Sequence, residues 1–328
     1  MATGYWRLAT LFYIYGMQKV LTITLNPTID KNYFVDRLVP DNKLRCPNPQ
    51  VDPGGGGINV AKGMKRLGGD VAAFVLAGGR NGEYLKELLL SEEVPFVMMN
   101  SEGETRESIV ISEHTSNHQY RIVVDGPVIS EDTSNAILQK IKSLDPFPEY
   151  VVASGSLPLG MPENYYALIA RIVREKGARF ILDTSGTPLK LALKEGVYLA
   201  KPNLGELSKI SGTEQLELDD VDEAAQALIS EGLCEVVVVS MGAAGAMLVI
   251  KDMYRIFPAP AVPRKSTVGA GDSMVAGMIW SLQQGKNLEE MTMMGIACGT
   301  AATMNEGTKL FHTEDAFRLY DWISRQKK

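Results

Sequence analysis

The feature that most constrains the fold is a repeated change of period along the chain. Short apolar runs with few charges, VLTITL (20–25), VAAFVL (71–76), YVVAS (150–154), FILD (180–183) and VVVVS (236–240), alternate with helix-like segments. Those segments are INVAKGMKRL, GEYLKELLL, NAILQKIKSL, ENYYALIARIVREKG and VDEAAQALISEG, the last two closing on a glycine suited to a C-cap. Unbroken apolar runs suit strands buried on both faces. Strand then helix, repeated, predicts an α/β fold with a parallel sheet and helices on both sides. Residues 31–52 and 104–125 break the rhythm with shorter alternating stretches such as ESIVIS and QYRIVV and polar turns such as EHTSNH. They predict antiparallel strands apart from the main sheet, a small β lid over the strand ends where open α/β sheets bind ligands. After Gly271 the pattern is helical, and its methionines fit core packing rather than a cofactor site.

Composition narrows the function classes. The 328 residues carry 33 Lys+Arg against 39 Asp+Glu, a net charge of −6. That balance argues against binding nucleic acid by charge alone, while a few local cations still suffice for a small anionic substrate. Cys46, Cys234 and Cys298 are odd in number and far apart. They fit a reducing compartment, the cytoplasm, and no disulfide framework or Cys-rich zinc site. Residues 5–16, YWRLATLFYIYG, are interrupted by Arg7 and too short for a membrane span, and no A-x-A-like site follows them. We expect residues 1–16 to be an N-terminal extension outside the fold and the folded domain to comprise 17–328.

Three small-residue motifs carry candidate chemistry. In STVGAGDS (266–273), directly before an apolar helix, glycines let backbone approach a ligand and the helix amides point at an anion. Asp272 in that place would repel a phosphate and suits removal of a proton from an attacking hydroxyl; it also suits a plain helix cap. In DPGGGGIN (52–59) four glycines expose amides, and Asn59 can hydrogen-bond a polyol, or the run is a flexible turn. In KPNLGE (201–206), Asn203 and Glu206 share a helix face and can hold Mg²⁺ directly or through water, or Asn203 caps the helix above a solvated Glu206. Arg106, Lys43 and Arg45 are candidate partners for a substrate phosphate. His114 and His118 are four apart but lie in a predicted turn, where that spacing does not make a metal pair.

Together these motifs are specific. TLNPTID (24–30), GGGGINVAKGMKRLGG (54–69), KPNLGE and STVGAGDSMVAG (266–277) occur in the order and spacing of the PfkB sugar kinases, which the chain resembles from about residue 18 to the C-terminus. The resemblance implies a ribokinase-like three-layer αβα sandwich with a mostly parallel central sheet and a small β-sheet lid. Within the family the chain is most similar to the minor 6-phosphofructokinases, on KLRC (43–46), GGGGIN and SGSLP (154–158). That similarity implies ATP-dependent phosphorylation of fructose 6-phosphate at O1. Tagatose-6-phosphate kinases and 1-phosphofructokinases, the alternatives, usually carry GGKGIN, with a lysine where this chain has Gly56. An inactive sugar-phosphate-binding relative is a further alternative, against which Asp272, Asn203 and Glu206 count.

The resemblance also implies roles. Asp272 matches the base, and Gly269, Ala270 and Gly271 the anion hole for the transferred phosphoryl group. Asp30, Gly55, Gly56 and Asn59 match sugar-binding positions, and Arg106 with Ser156 the end that receives the sugar phosphate. Lys43 and Arg45 match lid cations, Lys43 reaching nucleotide phosphates across a dimer. Asn203 and Glu206 match the Mg²⁺-organising motif, and Ser240, Gly242, Gly271 and Asn305 fall where the family binds ATP. K⁺ is a further candidate cofactor, and a homodimer through the lid, with no nucleic-acid or membrane partner, completes the expectation.

Overall fold

The structure, a computed structural model, describes residues 18–116, 118–213 and 216–326; the expected extension at 1–16 lies outside them. Nine strands form one sheet in the order β13-β12-β11-β10-β9-β8-β1-β4-β5. They are β1 (Val20–Thr24), β4 (Val71–Ala77), β5 (Phe96–Asn100), β8 (Tyr150–Ser154), β9 (Arg179–Asp183), β10 (Val197–Ala200), β11 (Cys234–Ser240), β12 (Ala246–Ile250) and β13 (Met253–Phe257). From β5 to β11 every neighbouring pair is parallel, and β12 and β13 complete one edge as antiparallel strands.

The predicted burial on both faces is visible residue by residue. Along β1, Val20 belongs to one apolar cluster, Leu21 and Ile23 to another; Val152 and its neighbours Val151 and Ala153 divide likewise. The period of two sends successive side chains to opposite faces. The first cluster is covered by α1 (Gly56–Arg66), α2 (Gly79–Ser91), α8 (Ala270–Gln283), α9 (Leu288–Thr303) and α10 (Thr313–Arg325). The second is covered by α3 (Glu131–Lys142), α4 (Tyr165–Glu175), α5 (Gly186–Leu193), α6 (Leu204–Ser211) and α7 (Val221–Ser230). Gly177 and Gly232 follow α4 and α7 at φ 71° and 72°, the left-handed conformation that the two terminal glycines predict. The Met-rich α8 and α9 are core, with Met274, Met278, Met291, Met293 and Met294 all buried.

A second sheet stands apart, in the order β3-β2-β6-β7, from β2 (Thr28–Val35), β3 (Gln50–Gly54), β6 (Arg106–Glu113) and β7 (Gln119–Val123). The expectation of antiparallel pairing needs one correction: β2 and β6 are parallel, while β2–β3 and β6–β7 are antiparallel. The reason lies in the main sheet. The strands β1 and β5 run the same way, and each passes from its carboxyl end into the lid, so β2 and β6 leave in the same sense. Two polar contacts tie this sheet to the body: Asn32 Nδ2 donates to Thr308 Oγ1 at 2.7 Å, and Thr308 Oγ1 donates to Asp52 at 2.6 Å. On the other side of the lid, Arg121 of β7 donates to Thr267 at 3.2 Å, and Ser266 donates to Gln119 at 3.3 Å.

Close contact of α8 with α9 sets the position of the helix that carries Asp272. A Cβ added at Gly277 would lie 2.7 Å from the Met294 carbonyl oxygen and 2.8 Å from Cys298 Sγ. Helix propensity alone would favour Ala over Gly by about 1 kcal/mol. Overpacking a dense core costs about 1–3 kcal/mol and involves backbone here, so it should win. Gly277→Ala is expected to lower the thermal midpoint; a raised midpoint in a melting experiment would show that α8 and α9 separate freely.

Candidate active site

The parallel strands deliver the site through their carboxyl ends. Asn26 follows β1, Ser154 ends β8, Asp183 ends β9, Lys201 and Asn203 follow β10, and Ser240 ends β11. Chain reversal outside these ends leaves a crevice, and the helices that start there aim their N-termini into it. The glycine run enters from β3 into α1. Its missing side chains are space for others: a Cβ at Gly54 would sit 2.2 Å from Asp30 Oδ2, one at Gly56 2.2 Å from Ser154 Oγ, and one at Gly57 2.5 Å from Thr24 Oγ1. Gly55 adopts φ 116°, outside the range of ordinary side-chain-bearing residues. The run is therefore a floor pressed against strand ends rather than a loose turn.

Asp272 stands in the first turn of α8, after Gly269 at φ 73°. No side-chain cap bond forms at that N-terminus. Instead, the Asp272 carboxylate accepts from Asn59 Nδ2 at 2.9 Å and from Ser154 Oγ at 3.4 Å. Of the two sequence alternatives, the geometry favours a carboxylate turned into the crevice over a helix cap. Burial pushes its pKa up to about 6, the neighbouring Asp183 carboxylate adds to the rise, and Asn59, Lys201 and Ser154 oppose it. A carboxylate with that proton affinity is ionised at neutral pH yet strong enough to accept a proton from a hydroxyl. Gly269, Ala270 and Gly271 form the turn into α8 next to it.

Asp30 lies on β2 opposite Asp52 of β3 and is buried. Burial, then Asp52, pushes its pKa up to about 7, with Lys62 and Arg106 opposing and Asp272 adding a smaller rise. Arg106 begins β6 and donates to the carbonyls of Asn26 at 3.1 Å and Val124 at 3.3 Å. Its Nε and Asn26 Oδ1 are buried without a partner among the described residues, and Asn26 Nδ2 donates to Ser156 Oγ at 3.1 Å. Arg106, Asn26 and Ser156 thus gather a cation and polar groups with unused capacity at one end of the crevice, suited to an anion.

The other predicted residues separate into two groups. Asn203 and Glu206 form a reciprocal capping box on α6: Asn203 Oδ1 accepts from the Glu206 amide and Glu206 Oε2 from the Asn203 amide, each at 2.9 Å. The cap uses Asn203 Oδ1, so the oxygen best placed to serve Mg²⁺ is the second one of Glu206, whose pKa burial raises. One carboxylate plus waters and substrate phosphates is a donor set that fits Mg²⁺. Asn305 donates its side-chain amide to the carbonyls of Leu310 at 3.0 Å and Ala301 at 3.4 Å, so it braces the loop after α9. The Ser240 amide donates to the Pro202 carbonyl at 2.9 Å, and Gly242 follows exposed at φ 60°. Lys43 and Arg45 lie exposed in the loop between β2 and β3. His114 stacks on Phe34, and among the described residues no cluster of three or more His, Cys, Asp or Glu could hold a metal. No described helix is long and apolar enough to cross a membrane.

Four site residues escaped the sequence reading: Asn26, Ser154, Asp183 and Lys201. Each lies in a quoted run or motif, but the runs were read for burial and the motifs for their glycines and oxygens. A polar residue that ends an apolar run, such as Ser154 in YVVAS or Asp183 in FILD, is the signal that finds them.

A buried carboxylate with a raised pKa carries a stability cost whose sign is fixed. Relative to an unfolded value near 4, folded Asp30 holds its proton to about pH 7. Its ionisation therefore weakens the native state progressively as pH rises from about 4 to 7. Asp30→Asn is expected to raise the thermal midpoint at pH 8, with the gain shrinking toward pH 4. A midpoint lowered at pH 8 would mean that the attraction of Arg106 outweighs desolvation.

Residues 17–315 match the family described as pfkB family carbohydrate kinase. The chain is 38% identical over 311 residues to the ATP-dependent 6-phosphofructokinase isozyme 2 of Escherichia coli, covering 94% of this chain and 100% of that protein. It is 32% identical over 294 residues to the 1-phosphofructokinase of Bacillus subtilis, covering 89% of this chain and 95% of the relative. Among solved structures, phosphofructokinase-2 from Escherichia coli in complex with potassium superposes with a TM-score of 0.89 at 38% identity, covering 94% of this chain and all of the other. The same bacterial protein with fructose-6-phosphate and in a tetrameric inhibited form gives TM-scores of 0.87 and 0.86, each at 37% identity and the same coverage. The chain belongs to the pfkB family of carbohydrate kinases.

Proposed function

We propose that this protein is an ATP-dependent 6-phosphofructokinase that phosphorylates fructose 6-phosphate at O1. The observation that carries the reading is the Asp272 carboxylate, bonded to Asn59 of the glycine-run helix at the entrance to α8. That bond joins the floor of the crevice to the anion-binding turn, where a sugar hydroxyl and a terminal phosphoryl group have to meet. In this reading Asp30, Asn59 and the Gly55–Gly56 backbone hold the sugar, and Arg106 with Ser156 receives its phosphate. Asp272 takes the proton from the attacking hydroxyl while the amides around Gly269, Ala270 and Gly271 stabilise charge on the moving phosphoryl group. The nucleotide lies along Ser240 and Gly242, with Asn305 bracing the adjoining loop. Glu206, fixed by its reciprocal cap with Asn203, would hold Mg²⁺, which would neutralise the charge of the ATP phosphates. The Escherichia coli relative supports the choice of acceptor, by its 6-phosphofructokinase name at 38% identity and by the structure of the phosphofructokinase-2 of that organism with fructose-6-phosphate.

Gly56 supports it too. The alternatives usually carry a lysine there, and in this chain any side chain would displace the Ser154 hydroxyl. The lid sheet supports a homodimer. Tyr120, Ile122, Val123 and Val124 are exposed apolar residues on or beside its edge strand β7, and such a row on a sheet edge is a natural surface for a second copy. Exposed Lys43 and Arg45 then face the partner's nucleotide rather than their own crevice.

A coupled ADP-release assay with Mg·ATP and fructose 6-phosphate, fructose 1-phosphate, tagatose 6-phosphate, fructose and ribose tests the acceptor. The highest kcat/KM is expected for fructose 6-phosphate, and preference for another sugar would replace the substrate while keeping the chemistry. Asp272→Asn is expected to lower kcat by about 10²–10⁴-fold with KM little changed; the reverse pattern would remove it from the base role. Arg106→Ala should raise KM for the sugar phosphate by about 10–100-fold, the worth of a charge-assisted bond. An unchanged KM would place the phosphate elsewhere.

A further inference from the structure

Three side chains behind Asp272 have no place in the reaction as described so far. Ser154 and Asp183 are register partners at the ends of the parallel strands β8 and β9, so they project to the same face, and Lys201 follows the end of β10 beside them. Lys201 Nζ lies 3.2 Å from Asp183 Oδ1. Ser154 Oγ lies 3.4 Å from Asp183 Oδ2 and 3.4 Å from Asp272 Oδ1. The chain of contacts thus runs Lys201, Asp183, Ser154, Asp272, and ends on Asn59. It is enclosed: the Lys201 and Asp183 side chains are 6% and 15% exposed and Ser154 is 2% exposed. An ion pair that served only the fold would gain nothing from a hydroxyl shared with a second carboxylate. Two carboxylates brought to one hydroxyl also cost stability, through burial and like charge.

A hydroxyl carries one proton and can donate it to one carboxylate at a time. Before reaction, Asp183 and Asp272 compete for the Ser154 proton. When the sugar O–H bond breaks and an O–H bond forms on Asp272, the new Asp272 hydroxyl can donate to Ser154 Oγ. The Ser154 proton then turns wholly to Asp183, whose charge Lys201 balances. No proton is lost along the chain: one moves from sugar to Asp272, and one hydroxyl reorients. We propose that Asp183 is a positioning residue for phosphoryl transfer, acting on Asp272 through the single proton of Ser154 and held in place by Lys201. This rests on the reading of Asp272 as the base. The neighbouring negative charge of Asp183 favours the protonated form of Asp272, whereas the Ser154 donor favours the ionised form. The other groups that act on Asp272 are Lys201 and the Asn59 amide, and Asp30 of β2 interacts with it electrostatically; Glu206 acts on Lys201.

The two substitutions should therefore move the acid limb of the pH–kcat profile in opposite directions. Asp183→Asn should lower its midpoint by about one pH unit and reduce kcat, with KM for the sugar phosphate within about twofold of wild type. Ser154→Ala should raise the midpoint, because the ionised form loses a donor. The phosphate of the substrate also titrates near pH 6, but equally in every variant, so the difference between profiles is what is read. Asp183→Asn leaves Lys201 buried without its counter-ion. If that variant does not fold, Asp183→Asn/Lys201→Met removes both charges, and its midpoint should return close to wild type while Ser154→Ala still moves upward. Midpoints that stay within about 0.2 unit of wild type in Asp183→Asn and Ser154→Ala, or that move in the same direction, would overturn the proposal. Asp272→Asn, run alongside, separates the two levels. A wild type without kinase activity, or an Asp272→Asn variant with normal turnover, removes the base reading and this inference with it. An inactive Asp272→Asn beside unmoved profiles removes this inference alone.

Discussion

The site depends on close approach between backbone and side chains at one place, where the glycine run meets the strand ends. Gly54, Gly56 and Gly57 leave room for Asp30, Ser154 and Thr24, each of which would lie within about 2.5 Å of a Cβ there. Remove that room and the consequences spread in two directions. Asn59, one turn into α1, would no longer reach Asp272 at 2.9 Å, and Asp30, on the lid strand β2, would lose its place against the glycine run. The four-glycine run is thus a packing requirement first, and the floor of the crevice is what that packing leaves behind.

Much of the architecture follows from period alone. The runs VAAFVL and VVVVS lack charge and alternation, and such a strand has to be covered on both faces; the two apolar clusters on either side of the sheet are that demand met. Strands β10 and β13 were less legible, one because VYLA is only four residues and the other because MYRIF, at the sheet edge, has exposed Met253, Tyr254 and Ile256 and buries only Phe257, too little to impose a pattern. The pairing of β2 with β6 was illegible for a different reason. Strand direction in the lid is inherited from β1 and β5, and local sequence carries no record of which parallel strands feed a second sheet. In the site, Asp272, Asn59 and Arg106 were legible because each belongs to a motif or a predicted lid. Asp183 and Lys201 were not, since their meaning comes from register between neighbouring strands.

KPNLGE shows how one motif can satisfy two demands. Asn203 and Glu206 each give an oxygen to the first turn of α6, so the helix start is held by the same residues that a metal-organising role requires. A capping box is worth about 1 kcal/mol to a helix, and on an eight-residue helix that is a large share of its stability. The cap also fixes the Glu206 carboxylate, whose remaining oxygen then occupies a defined place near Lys201. Structural and chemical readings of the motif are not rivals, because the fixed cap supplies the position that a metal-organising role would need.

The lid contacts extend that logic to the opposite wall. Asp52 lies directly across from Asp30 in the β2–β3 pairing, and its carboxylate accepts from Thr308, in the loop that Asn305 braces. On the far edge, Arg121 and Gln119 of β7 meet Thr267 and Ser266, the first residues of the turn that leads into Asp272. The sheet that carries Asp30 is therefore bonded at both edges to segments that flank the site, the loop after α9 on one side and the turn into α8 on the other. Rigid secondary structure transmits a shift of one edge to the other, so a lid displaced at Asp30 cannot keep both sets of contacts unchanged. The seating of the cover and the order of the turn into Asp272 are in this fold one mechanical condition, because the same strands carry both sets of contacts.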